Sequence, residues 1–301
     1  MTHITYPGIS TCVLTVLLYT CGISASTGTD LLHRIQVDDI SIGCRILGEG
    51  SPLLLITGFG GTMDMWDPEV LSVLSSNFRV IVFDNRGMGE TTAGGREFEI
   101  IQFADDAAAF MDSLGILKAD LLAWSMGTEI ALELVLRHPD KVNRLILYAG
   151  DYQVNACPPS PEIFQILTDT SGTPGERGER FMTLLFPPEW LDQNMFHVLE
   201  LFSGFTETSS PENIQKQADA MDSWTGAADR LGQITCPTLL ITGTEDVLTP
   251  PQNSQMLHER IPESRLELIE NGGHGVMYQY PELFSDLVLD FLLEDDSTSS
   301  S

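Results

Sequence analysis

Basic residues are scarce in this chain: 15 Lys and Arg stand against 43 Asp and Glu, a formal net charge of −28. A surface this negative repels phosphate backbones and anionic bilayers, which argues against nucleic acid as a partner. The acidity fits a salty habitat and ordinary solubility equally well, and it is silent about the reaction. Cysteine is sparse too. Of five, Cys12 and Cys21 fall in an N-terminal stretch set apart below, leaving Cys44, Cys157 and Cys236. Three scattered thiols make no disulfide framework, and without Cys-x-x-Cys or His-x-x-x-His spacing no metal is expected.

Long apolar runs are also missing. The nearest, residues 11–23, has the length of a signal-peptide h-region and is too short for a convincing membrane span. Small residues Ser24, Ala25 and Ser26 follow it, but no Lys or Arg precedes it, so the usual positive n-region is lacking. Leu18-Tyr-Thr-Cys-Gly22 distantly resembles a lipoprotein processing site. Residues 1–29 are therefore set aside as a leader or signal-like segment, with export or surface anchoring expected and a cytoplasmic location as the alternative. Membrane contact is expected only if this leader is retained.

What remains suits a catalytic domain. A chain of 301 residues, 43% hydrophobic, can bury a full core as one unit carrying an insertion. From residue 30 onward, short apolar runs alternate with segments of helical period, the pattern of an α/β protein with a parallel sheet wrapped by helices. Residues 32–37 and 40–47 predict an antiparallel edge hairpin. Strands are expected at 52–57, 78–83, 119–124, 142–148, 237–242 and 265–269, and helices at 67–75, 100–114, 126–138, 253–261 and 281–293. Between 151 and 230 the rhythm breaks. Only helix-like pieces at 161–167 and 211–224 stand out there, punctuated by Pro158, Pro159, Pro187 and Pro188, and this segment is expected to be an inserted helical lid. The acidic, serine-rich end, 294–301, is expected to be disordered.

Three short motifs carry chemistry. Ala123-Trp-Ser-Met-Gly127 lies between a predicted strand and a predicted helix, where a tight turn lifts a serine hydroxyl over the end of the sheet, and the crowded turn demands small residues at 123 and 127. Alone the pattern arises readily by chance. Its company is more specific: Gly243-Thr-Glu-Asp246 and Asn271-Gly-Gly-His274 each follow a later strand, giving the order Ser, Asp, His. Ser125 is thus the expected nucleophile, His274 the general base and Asp246 the acid that orients the histidine.

With these motifs in place, residues 30–293 resemble the α/β-hydrolase superfamily, in the branch of carboxylesterases, enol-lactonases and perhydrolases. Phe83-Asp-Asn-Arg-Gly-Met-Gly89 is similar to that family's Asp-x-Arg-Gly-x-Gly turn, which is structural, so Asp84 and Arg86 are not catalytic candidates. The resemblance implies a mostly parallel eight-stranded sheet, with the core at 30–150 and 231–293 and the lid between. It also implies an oxyanion hole made by the backbone N–H groups of Phe59 and Met126. Where the family has His-Gly after the third strand, this chain has Thr57-Gly58, a departure whose effect on the loop is open. Trp124 and Phe59 flank the expected oxyanion site and are candidates for lining the acyl pocket, with core packing as the competing role.

The implied reaction is cleavage of a small or medium carboxylic ester through an acyl-enzyme, with no cofactor. Lactone hydrolysis and perhydrolase chemistry are alternatives, as residues 60–68 and 242–251 are similar to enol-lactonases and Trp124 to the pimeloyl-carrier-protein methyl esterases. A serine at residue 125 argues against the dehalogenases and epoxide hydrolases of the superfamily, which use aspartate there. Two rivals for the acid are Glu245, beside Asp246, and Asp151, which follows an earlier strand as in some superfamily members. His33, His138, His197 and His258 lack motif context. A catalytically silent ligand-binding protein is the alternative of another class, and its mark would be loss of a triad residue.

Overall fold

The computed structural model describes residues 31–294 apart from 154–155, 170 and 203–208. The leader and all of the expected tail but Glu294 lie outside the described residues. Eight strands form one sheet in the order β1-β2-β4-β3-β5-β6-β7-β8. β1 (His33–Val37) and β2 (Ile40–Leu47) make the antiparallel hairpin, turning at Asp38, whose φ is 46°. β2 also runs antiparallel to β4 (Arg79–Phe83), and every later pairing is parallel.

The central strands β3 (Pro52–Ile56), β5 (Ala119–Trp124), β6 (Val142–Tyr148) and β7 (Thr238–Gly243) are buried along almost their whole length. That is why they read as unbroken apolar runs: a parallel strand covered on both faces has no polar side to alternate with. β8 (Ser264–Ile269) stands at the edge, only Ile269 being fully buried. Helices cover both faces. α1 (Pro68–Ser75) packs on α9 (Pro281–Leu293) on one side, and α2 (Ile100–Ser113) on α3 (Met126–Arg137) on the other, with α8 (Gln252–Arg260) beside β7 and β8. Asp67 caps α1, its carboxylate accepting from the N–H groups of Glu69 and Val70, and Pro68 supplies a ready-made first-turn φ.

The chain crosses from β3 to β4 in one direction and then to β5 in the other. This reversal opens a crevice outside the carboxyl ends of β3 and β5, where open α/β sheets place their ligands. Register fixes what stands there. Ile56 pairs with Ala123 and Trp124 with Tyr148, so the loops beginning at Thr57, Ser125 and Ala149 emerge side by side.

Between β6 and β7 the described residues form four α-helices: α4 (Pro161–Thr168), α5 (Pro174–Leu185), α6 (Pro188–Phe202) and α7 (Pro211–Ser223). α4 and α7 match the expected pieces, whereas α5 and α6 were not foreseen. In α5, Gly175 and Gly178 weaken the helical signal, yet Thr173 and Glu176 form a reciprocal capping box. Pro188, read as punctuation, is instead the first residue of α6, a position where its missing N–H costs no hydrogen bond.

The motif turn after β4 is structural, as expected. Arg86 is fully buried, bonding Asp106 Oδ1 at 2.7 Å and Asp39 Oδ1 at 3.0 Å, while Asp84 accepts from Met63 N–H and Glu90 N–H. Burial pushes the Asp84 carboxyl up to about 6. Cys44, Cys157 and Cys236 are free thiols. No helix among the described residues is long and apolar enough to cross a membrane.

Candidate active site

Ser125 occupies the turn between β5 and α3 at φ 56°, ψ −127°, backbone that an L residue adopts only when its surroundings force it. The cause is close packing. A Cβ on Gly127 would stand 2.3 Å from the Ile56 carbonyl oxygen, and one on Gly58 would stand 2.8 Å from Ser125 Cβ. These glycines let the loop after β3 lie directly against the serine.

His274 and Asp246 come from the loops after β8 and β7. Both are buried, with His274 Nδ1 2.9 Å from Asp246 Oδ2. Asp246 is held from all sides: its Oδ1 accepts from Leu248 N–H and Thr249 N–H, each at 2.9 Å, and its Oδ2 also lies 2.9 Å from Thr249 Oγ1. The Thr249 hydroxyl has the Ala149 carbonyl within 2.8 Å as a second acceptor, so its one proton serves one of the two at a time. The His274 backbone is fixed through its carbonyl, which accepts from Tyr148 OH at 2.7 Å and Trp124 Nε1 at 3.3 Å.

Ser125 and His274 open onto one cavity of about 480 Å³. Among the described residues the Ser125 hydroxyl has no hydrogen-bond partner, so the serine and histidine share a wall without being bonded. Apo catalytic sites often stand in this looser form and tighten around a substrate. Phe59 and Trp124 also line the cavity. Trp124 packs as well, stacked on Tyr148 at 5.9 Å and tilted against His274 at 5.8 Å, so it lines the cavity and belongs to the core at once.

The loop after β3 is held by three contacts. Thr57, where the family histidine would stand, is buried; its Oγ1 accepts from Trp66 Nε1 at 3.1 Å and its carbonyl from Asn85 Nδ2 at 3.0 Å. Gln217 on α7 reaches down, its Oε1 accepting from Gly60 N–H at 2.6 Å. Met126, as the first residue of α3, has an N–H that no intrahelical carbonyl can accept, and the helix dipole adds positive potential there.

The rivals separate clearly. Glu245 is exposed, and Asp246 rather than Asp151 bonds the imidazole. Asp151 nonetheless lines the cavity, together with Glu129 of α3. His33, His197 and His258 are exposed and His138 pairs with Asp105; none lines the cavity. Gln217 and Glu129 escaped sequence reasoning. Gln217 carries no motif, but Glu129 follows Ser125 by four residues at the start of a helix, and that spacing could have placed both on one side.

A family profile described as alpha/beta hydrolase fold matches residues 51–189, and one described as TAP-like protein matches residues 215–298. A protein of Agrobacterium fabrum named "Putative carbamate hydrolase RutD" is 30% identical, the match covering 84% of this chain and 97% of that one. Among solved structures, an alpha/beta hydrolase fold protein from Chitinophaga pinensis is 26% identical with a TM-score of 0.77, covering 89% of this chain and 98% of that one. A thermophilic esterase from Thermogutta terrifontis is 26% identical with a TM-score of 0.74, covering 87% and 98%.

Proposed function

Because the chain belongs to the α/β-hydrolase superfamily, whose named relatives here are hydrolases, we propose that it cleaves a small or medium carboxylic ester through an acyl-enzyme on Ser125. The observation that carries this reading is the buried 2.9 Å contact between His274 Nδ1 and Asp246 Oδ2, with His274 and the strained Ser125 facing one cavity.

In this reading Asp246 fixes the tautomer of His274 that carries hydrogen on Nδ1, leaving Nε2 as the base. His274 takes the Ser125 proton as Oγ attacks the carbonyl carbon, then delivers it to the departing alkoxide. Water repeats the cycle and frees the acid. The N–H groups of Phe59 and Met126 receive the oxyanion, each contributing about 3 kcal/mol to the transition state. Thr57 and Gln217 act at one remove, fixing the loop that carries Phe59. Helices α4–α7 act as the lid over residues 151–230, with side chains of α4, α5 and α7 lining the cavity.

A cavity of about 480 Å³ suits a ligand of modest size. The same machinery attacks a lactone, or a carbamoyl carbon, which the name of the Agrobacterium relative brings into consideration. The test is intact-mass spectrometry after exposure to a fluorophosphonate, on wild type, Ser125→Ala and Asp246→Asn, followed by a panel of esters, lactones and carbamates. One adduct on wild type, absent from Ser125→Ala, is expected. A folded wild type that takes no adduct and turns over no member of the panel would overturn the reading in favour of a silent binding protein.

A further inference from the structure

The cavity that holds Ser125 has little with which to bind a second anionic group. All 15 Lys and Arg residues of the chain lie among the described residues, and none of them lines it. The four on the lid segment are engaged elsewhere: Arg177 with the Gly172 carbonyl, Arg180 with the Asp169 carbonyl, Lys216 with Glu212 and Arg230 with Glu133. Backbone donors are scarce on one wall as well, because Pro158, Pro159 and Pro161 line the cavity and carry no N–H. Trp124 Nε1 already donates to the His274 carbonyl, and the Thr249 hydroxyl is shared between Asp246 and the Ala149 carbonyl.

What the wall offers instead is apolar surface. Phe164 and Leu167 of α4, Phe181 of α5, Met221 of α7 and Leu248 after β7 all line the cavity. The charged side chains that join them are acidic, Glu129, Asp151 and Asp222. A substrate carboxylate entering here loses its hydration, gains no cationic partner and approaches groups of its own sign. The N–H groups of Phe59 and Met126 do not compensate, because in the proposed reaction they hold the carbonyl under attack. An uncharged chain meets none of these costs and gains from leaving water for the aromatic and aliphatic wall.

We infer that this cavity selects esters and lactones whose acyl and alcohol parts are uncharged and apolar, and rejects those that also carry a carboxylate or phosphate. A carbamate esterified on oxygen is admitted, and a free carbamate anion is not. The inference rests on the proposed hydrolysis for the kind of bond cleaved. The charge selection itself is a property of the cavity wall, so binding alone can measure it.

The test compares 4-nitrophenyl hexanoate with 4-nitrophenyl hydrogen adipate, two acyl chains of equal length in which a carboxylate replaces the terminal methyl. Both are assayed on the full chain at about 1 M NaCl, which confines repulsion from the acidic surface to about 3 Å. There kcat/KM for the hexanoate should exceed that for the adipate by about 100-fold or more, because an unpaired ion is far costlier to desolvate than a methyl group. Asp222→Arg, at an exposed position, puts a cation on the cavity wall and should shrink that ratio by about tenfold. Calorimetric titration of Ser125→Ala, which leaves both esters intact, should show the same preference in Kd. A wild-type ratio below about tenfold, or one that Asp222→Arg leaves unchanged, would overturn the inference, the second result by locating the discrimination outside the cavity. If wild type cleaves neither ester, the hydrolase assignment falls, and the Kd values on Ser125→Ala decide charge selection alone: equal affinities, or binding of neither ester, would overturn it.

Discussion

Two aspartates border His274 from neighbouring strands, Asp246 after β7 and Asp151 after β6, and they are treated oppositely. Asp246 is ringed by donors: two backbone N–H groups, a threonine hydroxyl and the imidazole. Asp151 is half-buried and its carboxyl shares a hydrogen bond with that of Glu129 instead of accepting from backbone donors. A carboxylate whose lone pairs are filled by the protein is fixed in place and suited to orienting a neighbour. One whose partner is a second carboxyl must share a proton with it, and is poorly suited to that task. Sequence position alone made both plausible as the acid, and only their hydrogen-bond partners tell them apart.

The sharpest way to break this comparison is to exchange the roles by mutation. Asp246→Asn should lower kcat on a neutral ester by about 10⁴, the scale seen when a triad acid becomes an amide and the histidine takes the wrong tautomer. Asp151→Asn should cost under about tenfold on the same ester. Equal losses in stopped-flow turnover would mean that both carboxylates serve the imidazole. Gln217→Ala, which frees Gly60 and with it the loop bearing Phe59, should cost about tenfold in kcat with a smaller change in KM, because a displaced oxyanion donor acts on the transition state. A larger change in KM than in kcat would make Gln217 a substrate contact instead. Thr249→Val removes one donor from Asp246 and should cost about fivefold in kcat, the worth of a single hydrogen bond.

The smallest effect is on stability. Asp151 has its carboxyl raised to about 6 in the folded chain against an ordinary 3.8, so the folded protein binds the proton more tightly than the unfolded one between those values. Its contribution therefore disfavours folding progressively as pH rises from about 4 to above 6. Asp151→Asn lacks this penalty. Measured by thermal unfolding, the variant's Tm relative to wild type should climb by a few degrees as pH is raised from 4 to 7. A flat or falling difference would mean that Asp151 finds a compensating donor in the folded chain.

The sheet was legible because burial on both faces leaves an unmistakable pattern in strands such as 53–56, and because Gly58 and Gly127 have no substitute where two loops nearly touch. Ser125, Asp246 and His274 were legible as a candidate set because they sit at strand ends in a fixed order. Helices α5 and α6 were not, since proline and glycine in their first turns mimic loop punctuation. Gln217 could not be found at all: its contact with Gly60 spans 157 positions and depends on how α7 settles over the sheet. Glu129 was hidden differently. A charged residue in a helix reads as solvent-facing unless its neighbour four positions back is known to stand at a cavity.

The conformation of Ser125 has a consequence for how this protein can change. Backbone held at φ 56°, ψ −127° by a serine costs on the order of 1–3 kcal/mol, and glycine carries no such penalty. The residue that gives the chain its proposed chemistry is therefore among its least comfortable. Drift toward glycine at this position would make a sturdier protein without a nucleophile, so selection for durability and selection for turnover pull this one residue in opposite directions.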